Sequence, residues 1–326
     1  MNHPHPNTQT GNHRDRSLGL ILFGAGEILI ALGCAALIPL ILVAGAIAPG
    51  LDARMVLPSL VLYAVMAAVF LTLGIGSIRA RIWAQALTLS FSWVWLITGI
   101  ATMLLSWIAL PGFWLDLAAS AGLEGGAARM VALGINLILG SIYVVLPGAF
   151  VLFYRSPDVI ATCRARDPRP GWAGRCHQKL LALAAAYALG GISIIAVPSY
   201  NFVFPLFGLL LTGAAGAVCW AAVLLLSGAL TVGTCRGEPW AWWTAAAASV
   251  AAAVSSVASF AFTDPHAVFE AMVLPADQLI LMESLWPREP WIHIVFWLAV
   301  WGSLLAYLFV VKPLFNPPLG RGKPEA

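Results

Sequence analysis

Eight long apolar stretches run along this chain, at residues 18–48, 56–78, 82–110, 130–154, 180–197, 204–234, 240–262 and 291–311. Short polar segments separate them. A bilayer core about 30 Å thick is crossed by about 20 apolar residues in a helix. Backbone groups in hydrocarbon must bond to each other, which a helix does within itself. The alternation with a period of two that marks a membrane β-strand is absent. The pattern predicts an all-α polytopic membrane protein with eight transmembrane helices. Several stretches exceed the minimum length, which implies tilt or ends that reach the headgroups.

Composition agrees. Hydrophobic residues make up 61% of the 326 positions and charged residues 10%, which does not fit a water-soluble core. The first stretch is too long for the 7–15 apolar residues, roughly, of a secretory signal. Its one A-x-A-like site, Ala46-Ile47-Ala48, is followed by Pro49, and the apolar run continues past Leu32-Gly33-Cys34. An uncleaved first helix is expected.

Charge gives the direction. If the N-terminus is cytoplasmic, all 17 Lys and Arg fall on the cytoplasmic side except Arg54, Arg129 and Arg288. Asp52, Asp116, Glu124, Asp264, Glu270, Asp277, Glu283 and Glu289 fall on the other side. The positive-inside rule then places both termini in the cytoplasm of a bacterial-type inner membrane. The net charge of +3 is a belt facing anionic headgroups, so membrane lipids, and other membrane subunits, are the expected partners rather than nucleic acid. The five cysteines give no disulfide framework.

The chain repeats itself. Gly76-Ser77-Ile78-Arg79-Ala80-Arg81-Ile82-Trp83-Ala84 returns as Gly233-Thr234-Cys235-Arg236-Gly237-Glu238-Pro239-Trp240-Ala241. The expected organisation is a disordered tail (1–17), a four-helix half (18–157), a basic linker (158–179), a second half (180–318) and a tail (319–326). Four helices per half make the repeat parallel, about an axis along the membrane normal. Within the motif, Arg79 and Arg236 reach headgroups, and Trp83 and Trp240 anchor the next helix at the interface.

Glu27 is the one acid inside a predicted helix, about 13 Å along it from Leu18. An ionised carboxylate at that depth costs at least a few kcal/mol unless it is paired, hydrated or neutral, so it is a functional candidate by default. It suits a proton or a polar or cationic group. Asn136, Gln85 and Ser90 are candidate neighbours, and Glu27, Asn136 and Gln85 form the candidate ligand site. The bland reading is a neutral, hydrogen-bonded Glu27 nearer the cytoplasmic face. The loop 263–290 offers His266 four residues before Glu270, with Asp264 and His293 near in sequence; a solvated acidic face explains it better than a metal.

The chain has no C-x-x-C, H-E-x-x-H, G-x-S-x-G or Walker A motif, and no paired helix histidines for haem. No cofactor or metal is expected, and an enzyme is disfavoured. The first expectation is transport or handling of a small or lipophilic ligand between the halves. The alternative is a non-catalytic subunit, scaffold or assembly factor.

Overall fold

Eight helices long and apolar enough to cross a membrane are present among the described residues. The structure is a computed structural model, and it describes residues 14–47, 53–109, 122, 125–167, 176–274, 279 and 290–315. The terminal tails, most of the loop 111–124, residues 168–175 of the linker and nearly all of 275–289 lie outside these.

Helix α1 (Ser17–Ile47) begins where the Asp15 carboxylate accepts from the Ser17 amide and hydroxyl, at 2.9 and 3.1 Å. It runs unbroken through Pro39. Helix α2 (Ala53–Ile78) and helix α3 (Ile82–Ala109) follow. The fourth span is interrupted: α4 (Gly125–Gly140) passes through one π turn (Ser141–Val145) into α5 (Leu146–Tyr154). Pro147 explains the turn. It has no N–H to give to the carbonyl of Tyr143, four residues back, so the regular ladder fails there. The loosened Tyr143 carbonyl meets Gly99 of α3, where an added Cβ would lie 2.0 Å from the oxygen.

Helix α6 (Pro157–Arg166) is short and lies across the end of the first bundle. Helix α7 (Gln178–Ser193) tightens into a 3-10 segment (Ile194–Tyr200) that contains Pro198. Then comes a departure from the expected pattern. Residues 204–211 do not begin the sixth helix; they form an antiparallel hairpin, β1 (Phe204–Leu206) with β2 (Leu209–Leu211). Its turn residues, Phe207 and Gly208, have φ of 48° and 88°, as a two-residue hairpin turn requires. Hydropathy alone does not separate a short apolar strand from a helix.

Helix α8 (Gly213–Arg236) and helix α9 (Pro239–Phe262) follow, then the short α10 (Pro265–Ala271) and the last span, α11 (Pro290–Val311). The hairpin is held by α9. Ser255 and Ser259 accept from the amides of Phe207 and Gly208 at 3.1 and 3.3 Å, and Thr263 donates to the Gly208 carbonyl at 3.1 Å. Non-helical backbone at membrane depth persists only where protein satisfies it, and the serines of the Ala-rich helix do this. Within the loop 263–290, α10 is present with Phe269 buried; most of the loop after residue 274 lies outside the described residues.

Packing divides the spans into pairs. α1 lies along α2, the fourth span along α3, α7 along α8, and α9 along α11. The two sets of four meet chiefly where α3 packs on α7. One apolar core joins Leu20, Phe150 and Tyr154 to Val159 and Cys163 of α6. A second gathers Leu180, Leu230, Trp242, Leu308 and Phe315. Leu29, Leu225 and Phe262 are exposed, as suits side chains in lipid. The basic linker is thus more than a tether, since α6 seals the first core.

The α1–α2 crossing is the most extensive contact between described helices, and its backbones meet closely. A Cβ on Gly24 would stand 2.8 Å from the Gly74 carbonyl, and one on Gly74 would stand 2.7 Å from the Gly24 carbonyl. Only residues without a side chain let the backbones meet this way. Gly74→Val should therefore force the pair apart at a cost of about 1–3 kcal/mol, the usual range for overpacking. Thermal unfolding in detergent checks this, and an unchanged midpoint would contradict the crossing.

Candidate functional site

Two glycines place the site. Glu27 is three residues after Gly24, and Ser77 is three after Gly74. Residues three apart share a helix face, so the crossing that joins the glycines also turns Glu27 and Ser77 toward each other. Thr88 enters from α3 and Tyr154 from the end of α5. Glu27 and Tyr154 are 0% exposed, Ser77 1% and Thr88 4%.

The Glu27 carboxyl lies within interaction range of the hydroxyls of Ser77, Tyr154 and Thr88. None of these five oxygens closes a hydrogen bond of ordinary length and angle with another protein group. They face one another without being paired. That is uncommon, because an unsatisfied buried polar group costs about 1–3 kcal/mol.

Other serines and threonines of these spans behave differently. Thr72, Ser90, Ser92 and Thr98 each donate to the carbonyl four residues back, at 2.7 to 2.8 Å, the ordinary outlet for a helical hydroxyl. Ser77 and Thr88 lack that bond.

The expected neighbours are redistributed. Asn136 donates to the Ala132 carbonyl of its own helix at 2.9 Å. Gln85 donates to the backbone carbonyl of Tyr154 at 2.8 Å, so it fixes the backbone of a residue whose hydroxyl belongs to the cluster. Ser90 accepts from Gln178 at 2.7 Å. The polar neighbours of Glu27 are Ser77, Thr88 and Tyr154 instead. The signal for Ser77 was in the chain, since Gly-x-x-Glu and Gly-x-x-Ser are paired contact patterns. Thr88 and Tyr154 carry no such signal.

The first turns of α1 lie beside α6: Arg16 pairs with Asp158 at 3.6 Å, and its amide donates to Thr162 at 3.2 Å. Glu27 itself faces Ser77 and Tyr154, near the ends of α2 and α5, and stands about three helical turns along α1 from Arg16.

Beside the cluster lies a cavity of about 700 Å³. Gln85 is in its wall, with Arg155, Arg164, Asp167 and Gln178 as the other polar members and Ile82, Leu89 and Ile160 among the apolar ones. It sits between α3, α6 and the approach to α7. Asp167 organises one side, accepting from Arg81 and from the Ile82 amide, both at 3.3 Å, and so capping α3 from a distant segment.

The turn at the end of α2 recurs at the end of α8. Ala80 and Arg81 donate to the carbonyls of Ser77 and Gly76, while Gly237 and Glu238 donate to those of Thr234 and Gly233. Trp83 closes on Gly76 and Trp240 on Gly233. Trp242 donates to the Leu308 carbonyl at 2.7 Å, in the manner of Gln85 and Tyr154. Thr234 and Tyr187 also keep buried hydroxyls without partners, but no acid lies in α7. Arg79 is exposed, as an interface anchor requires, whereas Arg236 turns to Glu238 at 3.8 Å and Trp240 bonds the same carboxylate.

At the acidic end, His266 lies 3.5 Å from Glu270, Asp264 caps the His266 amide, and His293 stacks on Phe260. No group of three or more metal-type ligands occurs among the described residues.

No protein-family model, curated protein or solved structure matches this chain.

The seal made by α6 can be probed. Burial, followed by the nearby Asp167 charge, pushes the Cys163 thiol up to about 11, so it stays neutral and unreactive near neutral pH. N-ethylmaleimide should leave Cys163 unmodified in the folded chain from pH 7 to 9 and modify it after denaturation. Peptide mass spectrometry reads this, and rapid modification in the folded chain at pH 7 would mean that α6 is not seated.

Proposed function

We propose that this chain transports or handles a small or lipophilic ligand at the basic end of the bundle, with Glu27 as the polar anchor. The observation that carries the reading is the wholly buried carboxyl whose oxygens, like the three hydroxyls around it, lack hydrogen-bond partners. Such a group weakens a fold, because burying a carboxylate without its hydrogen bonds is costly. Intramembrane acids are kept for ions, protons or ligands. The nearby cavity supports the reading; none of the four cluster residues lines it, and Gln85, bonded to the Tyr154 backbone, is the link between them. Its arginines and glutamines stand beside an isoleucine and leucine wall, which suits a molecule with a polar head and an apolar body.

The cavity opens where the first four spans meet the next four. We read these sets as one duplicated four-helix unit, in keeping with the matching turns at Gly76 and Gly233 and the matching side-chain bonds of Gln85 and Trp242. The charge distribution supports both termini in the cytoplasm of a bacterial-type inner membrane, so the cavity would face inward. With no acid in α7, the duplicated unit would hold one anchor.

A second reading, a non-catalytic subunit or scaffold, is favoured by a different observation. Gly26 and Gly33 of α1, and Gly134 and Gly140 of α4, have nothing within 4 Å of where a Cβ would be. Small residues on outer helix faces suit close packing with another membrane chain.

Small molecules that co-purify with the chain in mild detergent separate the readings. The wild-type chain should carry an enriched compound, identified by mass spectrometry, that Glu27→Gln loses while remaining monodisperse. Identical extracts from both chains would contradict the ligand reading. A stoichiometric partner protein with no such compound would favour the scaffold.

A further inference from the structure

We propose that Glu27, Ser77, Thr88 and Tyr154 form a binding site for a monovalent hard cation, Na⁺. The inference rests on the reading of Glu27 as an anchor and names what it holds.

Each group comes from a different helix: α1, α2, α3 and α5. The donor set is two carboxylate and three hydroxyl oxygens, with no nitrogen or sulfur among them. All-oxygen sets suit hard cations and disfavour soft or borderline metals. The hydroxyl orientation is the second argument. Ser77 and Thr88 give up the bond to the preceding turn that Thr72, Ser90 and Ser92 make. Their hydroxyls are left to the cluster, where each can turn its proton to the carboxylate and its lone pairs to an ion beside it.

Charge balance selects the class. Glu27 forms no ion pair among the described residues. Arg16 is turned to Asp158 and Arg81 to Asp167, while Arg155 lies in the cavity wall. A single positive charge makes the buried cluster neutral. A divalent ion would leave it with a net positive charge away from water, at a desolvation cost of several kcal/mol. The close backbone approach of α1 and α2 one turn away favours a small ion, so Na⁺ rather than K⁺. The second set shows what the absence of this chemistry looks like. Thr234 repeats Ser77, but Trp242 stands where the first set has Gln85, and α7 holds no carboxylate at the place of Glu27.

The test is equilibrium binding of radioactive ²²Na⁺ to the full chain in mild detergent, with choline chloride holding ionic strength. Saturable binding near one ion per chain is expected, competed by unlabelled Na⁺ much better than by K⁺. Glu27→Gln should lower affinity at least tenfold, with monodispersity checked by gel filtration. If that variant fails to fold, Thr88→Val and Tyr154→Phe each provide the comparison, with a severalfold loss expected. No saturable binding by the wild-type chain between pH 6 and 9 overturns the proposal, as does equal binding by every variant. Stability that responds to pH but not to Na⁺ also overturns it, because the site would then hold only a proton. Loss of the co-purifying compound in Glu27→Gln without ²²Na⁺ binding would refute the cation alone. Binding of ²²Na⁺ with an unchanged compound would refute the ligand reading alone.

Discussion

In a hydrocarbon surround, a polar group must find its partner within the protein. Most of this structure follows from that constraint. Where Pro147 removes a donor, a π turn forms and the loosened carbonyl lies against Gly99. Where the chain leaves helical geometry at 204–211, Ser255, Ser259 and Thr263 bond to the hairpin backbone. The indole of Trp242 and the amide of Gln85 each find a carbonyl on the facing helix. Against this thrift, the five oxygens around Glu27 stand out because they face each other and pair with nothing.

The same glycine contact that makes the α1–α2 pair stable makes the site. Gly24 and Gly74 bring the backbones together, and the helical repeat then aims Glu27 and Ser77 into the shared interior. Fold and site are thus coupled through spacing. A change that separates the helices empties the cluster of its geometry, without touching any of its oxygens.

Much of this was legible in the chain. Hydropathy and the 30 Å requirement located eight spans, and the recurring Gly-[Ser/Thr]-x-Arg-x-x-x-Trp-Ala marked two turns that close with the same hydrogen bonds. Glu27 stood out as an acid among apolar residues. What was not legible depends on contacts far apart in sequence. The hairpin at 204–211 reads as helix because its backbone partners lie some fifty residues later. Thr88 and Tyr154 look like ordinary membrane-helix residues until α3 and α5 are placed around α1. Asn136 looked like a partner for Glu27, but a side-chain amide near a helical carbonyl can satisfy itself on its own helix, as it does here.

Whether the four side chains act as one unit is open to a double-mutant cycle. Unfolding would be measured in one detergent for the wild type, Glu27→Gln, Tyr154→Phe and the pair. Groups that share a buried network couple by about 0.5–3 kcal/mol, while independent sites add to within about 0.3–0.5 kcal/mol. Coupling in the first range is predicted, with the double variant far from the sum of the single ones. Additivity would contradict it and return Glu27 to the status of an isolated buried acid.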